Sequence, residues 1–128
     1  MKTNVMILAL IGLSFAACEK TDLPAKTMVG EWEWASSYYG FAPTLFTPES
    51  EGYERQIEIS ETHFIQHQDG QEIRNEEYTV TTQEYESGSV VEFIEFNGYK
   101  TFIVELRSDS LLLWDTCADC YEHVYIRK

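Results

Sequence analysis

Between residues 28 and 39 the chain alternates with a period of two. Trp32, Trp34 and Tyr38 fall on one parity, while Glu31, Glu33, Ala35 and Ser37 fall on the other. A β-strand sends successive side chains to opposite faces, so this pattern predicts a strand with one aromatic face in a core and one polar face in water. Such a strand needs neighbours that wrap around its tryptophans, and the rest of the chain supplies them.

Residues 53–60 alternate as cleanly, with Tyr53, Arg55, Ile57 and Ile59 opposite Glu54, Gln56, Glu58 and Ser60. Residues 62–68 lead into Asp69-Gly70, and 90–96 lead into Asn97-Gly98. Both dipeptides are strong two-residue hairpin signals, because their residues tolerate the left-handed backbone that such turns need. Residues 71–81, 99–107, 111–114 and 121–127 complete the β-prone stretches. The expectation is an all-β domain, a single eight-stranded antiparallel up-and-down barrel with no helix after the leader. Residues 39–52 break the alternation with two glycines and two prolines and read as a long loop. Their Phe41, Leu45 and Phe46 must pack somewhere, either as a lid over a ligand mouth or as a plug in a closed barrel.

The first 17 residues read as a secretory leader. A short basic start at Lys2 precedes an apolar run from Val5 to Ala17 that is too short to span a bilayer. Cleavage after Ala17 would leave Cys18 at the new N-terminus. Small residues just before this cysteine resemble a bacterial lipoprotein signal, which implies a signal peptide over 1–17, a lipidated cysteine and polar tether over 18–27, and a β-barrel domain over 28–128; an ordinary secretory cleavage that leaves Cys18 behind is the alternative. More than one acyl chain is needed to hold a protein stably on a bilayer, so a lipidated Cys18 would be the only membrane element expected.

The chain has 9 basic and 22 acidic residues, a net charge of −13. That balance repels phosphate backbones and argues against a nucleic-acid partner. The acids recur at every second residue in several stretches, which marks the solvated faces of strands rather than a cation loop.

Gly30-Glu31-Trp32 at the head of the first strand resembles the Gly-x-Trp signature of lipocalins and their calycin relatives. Arg127 is similar to the late arginine that packs across that tryptophan in the same superfamily. With residues 47–53, the tail 115–128 and the Cys18 leader, the chain resembles small lipocalin-like lipoproteins of Gram-negative bacteria. The resemblance implies a closed barrel with an internal site, an outer-membrane lipid anchor on the periplasmic or cell-surface side, and Gly30, Trp32 and Arg127 as structural residues of the barrel floor. The aliphatic residue usual before the lipidated cysteine is replaced by Phe15, and the chain is short for a lipocalin.

On parity alone, Trp34, Tyr38, Tyr53, Arg55 and Ile57 are the candidate ligand-binding residues. An arginine among aromatics in a barrel could clamp a carboxylate, or could sit at the rim beside a glutamate. Cys117 and Cys120 are the cysteines left once Cys18 is set aside. They read as a disulfide, with a redox pair or a metal site using His123 as alternatives and His63 or His67 as a fourth ligand. No nucleophile motif, phosphate loop or cofactor motif is present. The expected function is binding of a small apolar or amphipathic ligand inside the barrel without catalysis. The alternative is a packed barrel that contacts a protein partner.

Overall fold

The computed structural model describes residues 27–117 and 119–128. The leader, Cys18 and the tether up to residue 26 lie outside the described residues. Ten strands follow one another: β1 (Gly30–Tyr39), β2 (Thr44–Phe46), β3 (Arg55–Ile59), β4 (His63–Gln68), β5 (Gln71–Glu77), β6 (Thr79–Glu84), β7 (Val90–Phe96), β8 (Tyr99–Leu106), β9 (Ser110–Asp115) and β10 (Tyr121–Arg127). One short helix, α1 (Pro48–Glu51), sits between β2 and β3. No helix among the described residues is long and apolar enough to cross a membrane.

All ladders are antiparallel, and the path runs β5-β4-β3-β1-β10-β9-β8-β7-β6, with β2 added to β1. The first and last long strands, β1 and β10, are central neighbours. The two ends of the path, β5 and β6, are consecutive in the chain and joined only by Tyr78. The domain is therefore a curled antiparallel half-barrel, not the closed eight-stranded barrel that the strand count predicts. The physical reason lies at Tyr78. Its amide donates to the Thr62 carbonyl and its hydroxyl to the Ser60 carbonyl, 2.6 Å away. This pins the chain between two partners: before Tyr78 it pairs with β4, and after Tyr78 with β7. Each edge is rich in charge or threonine, which suits an unpaired strand in water.

The two expected hairpins form. Asp69 and Gly70 have φ of 49° and 78°, and Asn97 and Gly98 have 52° and 80°. The stretch 39–52 is more ordered than its prolines suggest. β2 pairs with the far end of β1, and α1 is closed by a Thr47–Ser50 capping box with Pro48 in its first turn. Among its apolar residues only Phe46 packs inward, while Phe41 and Leu45 are exposed.

The core is continuous and rests on β1. Trp32, Ile57, Ile59, Phe64, Ile94, Leu111 and Leu113 are all but inaccessible. On β1 the alternation holds through Trp34 and then breaks. The register against β10 shifts between Trp34 and Ser36, the mark of a β-bulge. One extra residue reverses the parity beyond it, so Ser37 is buried and Tyr38 is 43% exposed.

Candidate functional site

At the closed end of β1, Trp32 is sealed. Its indole N–H donates to the Met28 carbonyl at 2.8 Å, and the Arg127 guanidinium lies 4.2 Å from the ring centroid. Arg127 in turn donates from Nη2 to the Thr27 carbonyl at 2.7 Å and from Nη1 to the Val29 carbonyl at 3.2 Å. Gly30 is needed for this approach: its φ is 144°, and a Cβ there would lie 2.8 Å from Arg127 Nη1. Trp32 and Arg127 are facing partners in the β1–β10 register.

Two residues along, the surroundings of Trp34 differ. Tyr53 stacks on it at 5.6 Å between centroids, and the Arg55 guanidinium lies 4.9 Å from the Tyr53 ring and 5.6 Å from the Trp34 ring. These three residues, with Ser37, Phe46 and His123, line a cavity of about 380 Å³. Beside it, toward β5, lies a second cavity of about 260 Å³ lined by residues that include Ile57, Arg74, Asp115 and Tyr125. Arg55 and His123 belong to both, so the two spaces meet at these side chains.

The interior is polar in an ordered way. The Trp34 indole donates to Ser37 Oγ at 2.8 Å, Ser37 Oγ lies 2.7 Å from His123 Nδ1, and His123 Nε2 lies 3.2 Å from Asp115 Oδ1. With Nε2–H facing the carboxylate, a neutral His123 accepts the Ser37 proton at Nδ1. This is a Ser–His–Asp chain with the imidazole turned so that Nδ1, not Nε2, meets the hydroxyl. Ser37 also sits inside ladders to both β2 and β10. The hydroxyl is held on one side by the indole, and the chain fixes the orientation of His123 at the junction of the two cavities.

Two arginines face the interior. Arg55 Nε donates to Gln68 Oε1 at 3.2 Å, and among the described residues Arg55 is in no ion pair. Arg74, on β5, lies over Phe96 and Phe102, with its Nε 3.6 Å from a Glu76 carboxylate oxygen. Its Nη1 is buried and has no hydrogen-bond partner among the described residues. Between them Tyr125 is buried opposite Trp34. Burial pushes its phenol up to about 12, and the Asp115 and Tyr53 charges push the same way, while Arg55 and Arg74 pull it back.

Cys117 and Cys120 form a disulfide with Cα atoms 5.5 Å apart, in the turn between β9 and β10. The grouping of ligand types there is Asp115, Cys117 and Cys120. His123 faces Ser37 and Asp115 instead of the sulfurs.

Of the five residues that parity marks for ligand contact, Trp34, Tyr53 and Arg55 line the first cavity and Ile57 lines the second. Tyr38 lines neither and faces out beyond the bulge. The residues that sequence reading misses are Ser37, Arg74, Asp115 and Tyr125. Searches of known protein families, of curated proteins and of solved structures find no match to this chain.

Proposed function

We propose that the half-barrel binds a small amphipathic molecule in the two adjoining cavities, without chemical turnover. The observation that carries this reading is a space of about 380 Å³ walled by Trp34, Tyr53 and Phe46 and ending on Arg55 and His123. Apolar walls with a few oriented polar groups are what a small-molecule site needs. The Gly30–Trp32–Arg127 packing supports a lipocalin-like reading of the domain, and the leader supports attachment to the outer membrane through a lipidated Cys18.

The test is a titration of the purified chain with the neutral fluorophore phenylnaphthylamine. Saturable one-to-one binding that quenches tryptophan emission is expected, and its loss is expected in Phe46→Trp, which adds bulk to the cavity wall. Absence of any saturable binding would sink the reading.

The Ser37–His123–Asp115 chain gives hydrolysis of an ester as a second reading. The two separate cleanly with a fluorophosphonate probe, which labels activated serines. Binding alone leaves Ser37 unmodified; stoichiometric labelling of Ser37 would establish the second reading.

A further inference from the structure

The two interior arginines stand on strands that flank β4, Arg55 opposite Gln68 and Arg74 opposite Gln66. Gln66 and Gln68 are two apart, so both arginines rise from the same face and line the same 260 Å³ cavity. A buried guanidinium nitrogen without an acceptor is costly, and natural structures keep such groups only where something else satisfies them. Arg74 Nη1 is in that position. Arg55 has one neutral acceptor, Gln68, and otherwise only the faces of Trp34 and Tyr53.

The acids around the pair do not supply the missing acceptors. Glu76 meets Arg74 at Nε and not at Nη1, and the two side chains are 40% and 33% exposed, respectively. Asp115 is turned to His123 and to the Tyr121 amide. Glu51 shares the first cavity with Arg55, and Glu33, Glu49 and Glu54 line a further recess beside it, but among the described residues none of the four forms an ion pair with Arg55.

We propose that Arg55 and Arg74 form the head-group subsite of the ligand cavity and take an ionised carboxylate, whose apolar tail lies along Trp34 and Tyr53 toward the mouth. This rests on the binding reading above and gives it a chemical class. A carboxylate matches the planar fork of each guanidinium and can share its two oxygens between them.

The experiment compares dansyl-undecanoate with its methyl ester at neutral pH, in the native chain and in Arg55→Met, Arg74→Met and Arg74→Lys. The acid should bind the native chain at least about tenfold more tightly than the ester, the range that charge-assisted hydrogen bonds provide. That preference, read as the ratio of acid to ester affinity within each variant, should fall to within about twofold in both methionine variants. Arg74→Lys, which keeps the charge, should retain an intermediate preference and carries the test if Arg74→Met does not fold. Equal affinity for acid and ester in the native chain overturns the carboxylate subsite and leaves the binding reading intact. A preference that survives in Arg55→Met and Arg74→Met overturns it as well. Failure of the acid, the ester and phenylnaphthylamine alike overturns both.

Discussion

Strand β1 carries two tryptophan–arginine stacks, two residues apart, and they differ in what the arginine has left to give. At Trp32 the guanidinium of Arg127 is spent on two backbone carbonyls and a ring face, and the indole N–H is spent on a third carbonyl. At Trp34 the guanidinium of Arg55 has one side-chain amide and two ring faces, and it borders open space. The same pair of residue types closes one end of the half-barrel and lines a cavity at the other. Satisfied donors in a sealed site hold a fold together; donors with capacity left, beside a void, are available to something that enters.

This contrast can be broken by measurement. The largest effect should come from Trp32→Ala, which empties the fully buried position and should cost about 3–5 kcal/mol in urea unfolding. A loss below about 1 kcal/mol would mean that the closed end is not a stabilising unit. Next comes alkali. The raised phenol of Tyr125 means that the folded state holds its proton more tightly than the unfolded chain does. Its contribution is thus complete below pH 10 and is lost as pH rises through about 12. The loss should be about 2–3 kcal/mol, and Tyr125→Phe should flatten it; an unchanged alkaline profile in that variant would place the effect elsewhere. The smallest and most direct comparison sets Arg127→Met against Arg55→Met. The first strands two carbonyls and should cost about 2 kcal/mol, whereas the second should cost well under 1 kcal/mol. Equal losses would erase the distinction between the two stacks.

The closed end is readable because β1 obeys period two as far as Trp34, and there Trp32 faces Arg127 in register while Gly30 leaves room for the guanidinium. The same parity placed Trp34, Tyr53, Arg55 and Ile57 correctly on the inner face. It failed at Tyr38 for a single reason, the bulge after Trp34. Without the bulge, the register that pairs Trp32 with Arg127 and Trp34 with Tyr125 would bring Ser36 against His123; with it, Ser37 takes that place. A one-residue insertion leaves no mark in composition, and Ala35 is an ordinary strand residue.

Arg74 was missed for a different reason. Its strand reads Gln71–Glu77 with hardly an apolar residue, so no alternation reveals an inner face. Asp115 and Tyr125 are brought to the cavity by pairing between distant strands, Asp115 through the β8–β9 ladder and Tyr125 through β9–β10 and β1–β10. The half-barrel itself was hidden by Tyr78. A strand-like run through residues 71–81 gives no sign that one tyrosine divides it between two partners.

Pairing of the first strand with the last also determines how the domain is held. The chain enters at Thr27 and leaves at Lys128 side by side, with Arg127 bonded to the Thr27 carbonyl and the Lys128 amide to the Glu31 carbonyl. Both lie at the Trp32 end, and the larger cavity lies further along β1 past Trp34. Anything joined to either terminus, whether a lipid tether, a solid support or a fused reporter, grips the domain by its base. The cavity beyond Trp34 is left away from that grip, and a handle at one end is equivalent to a handle at the other.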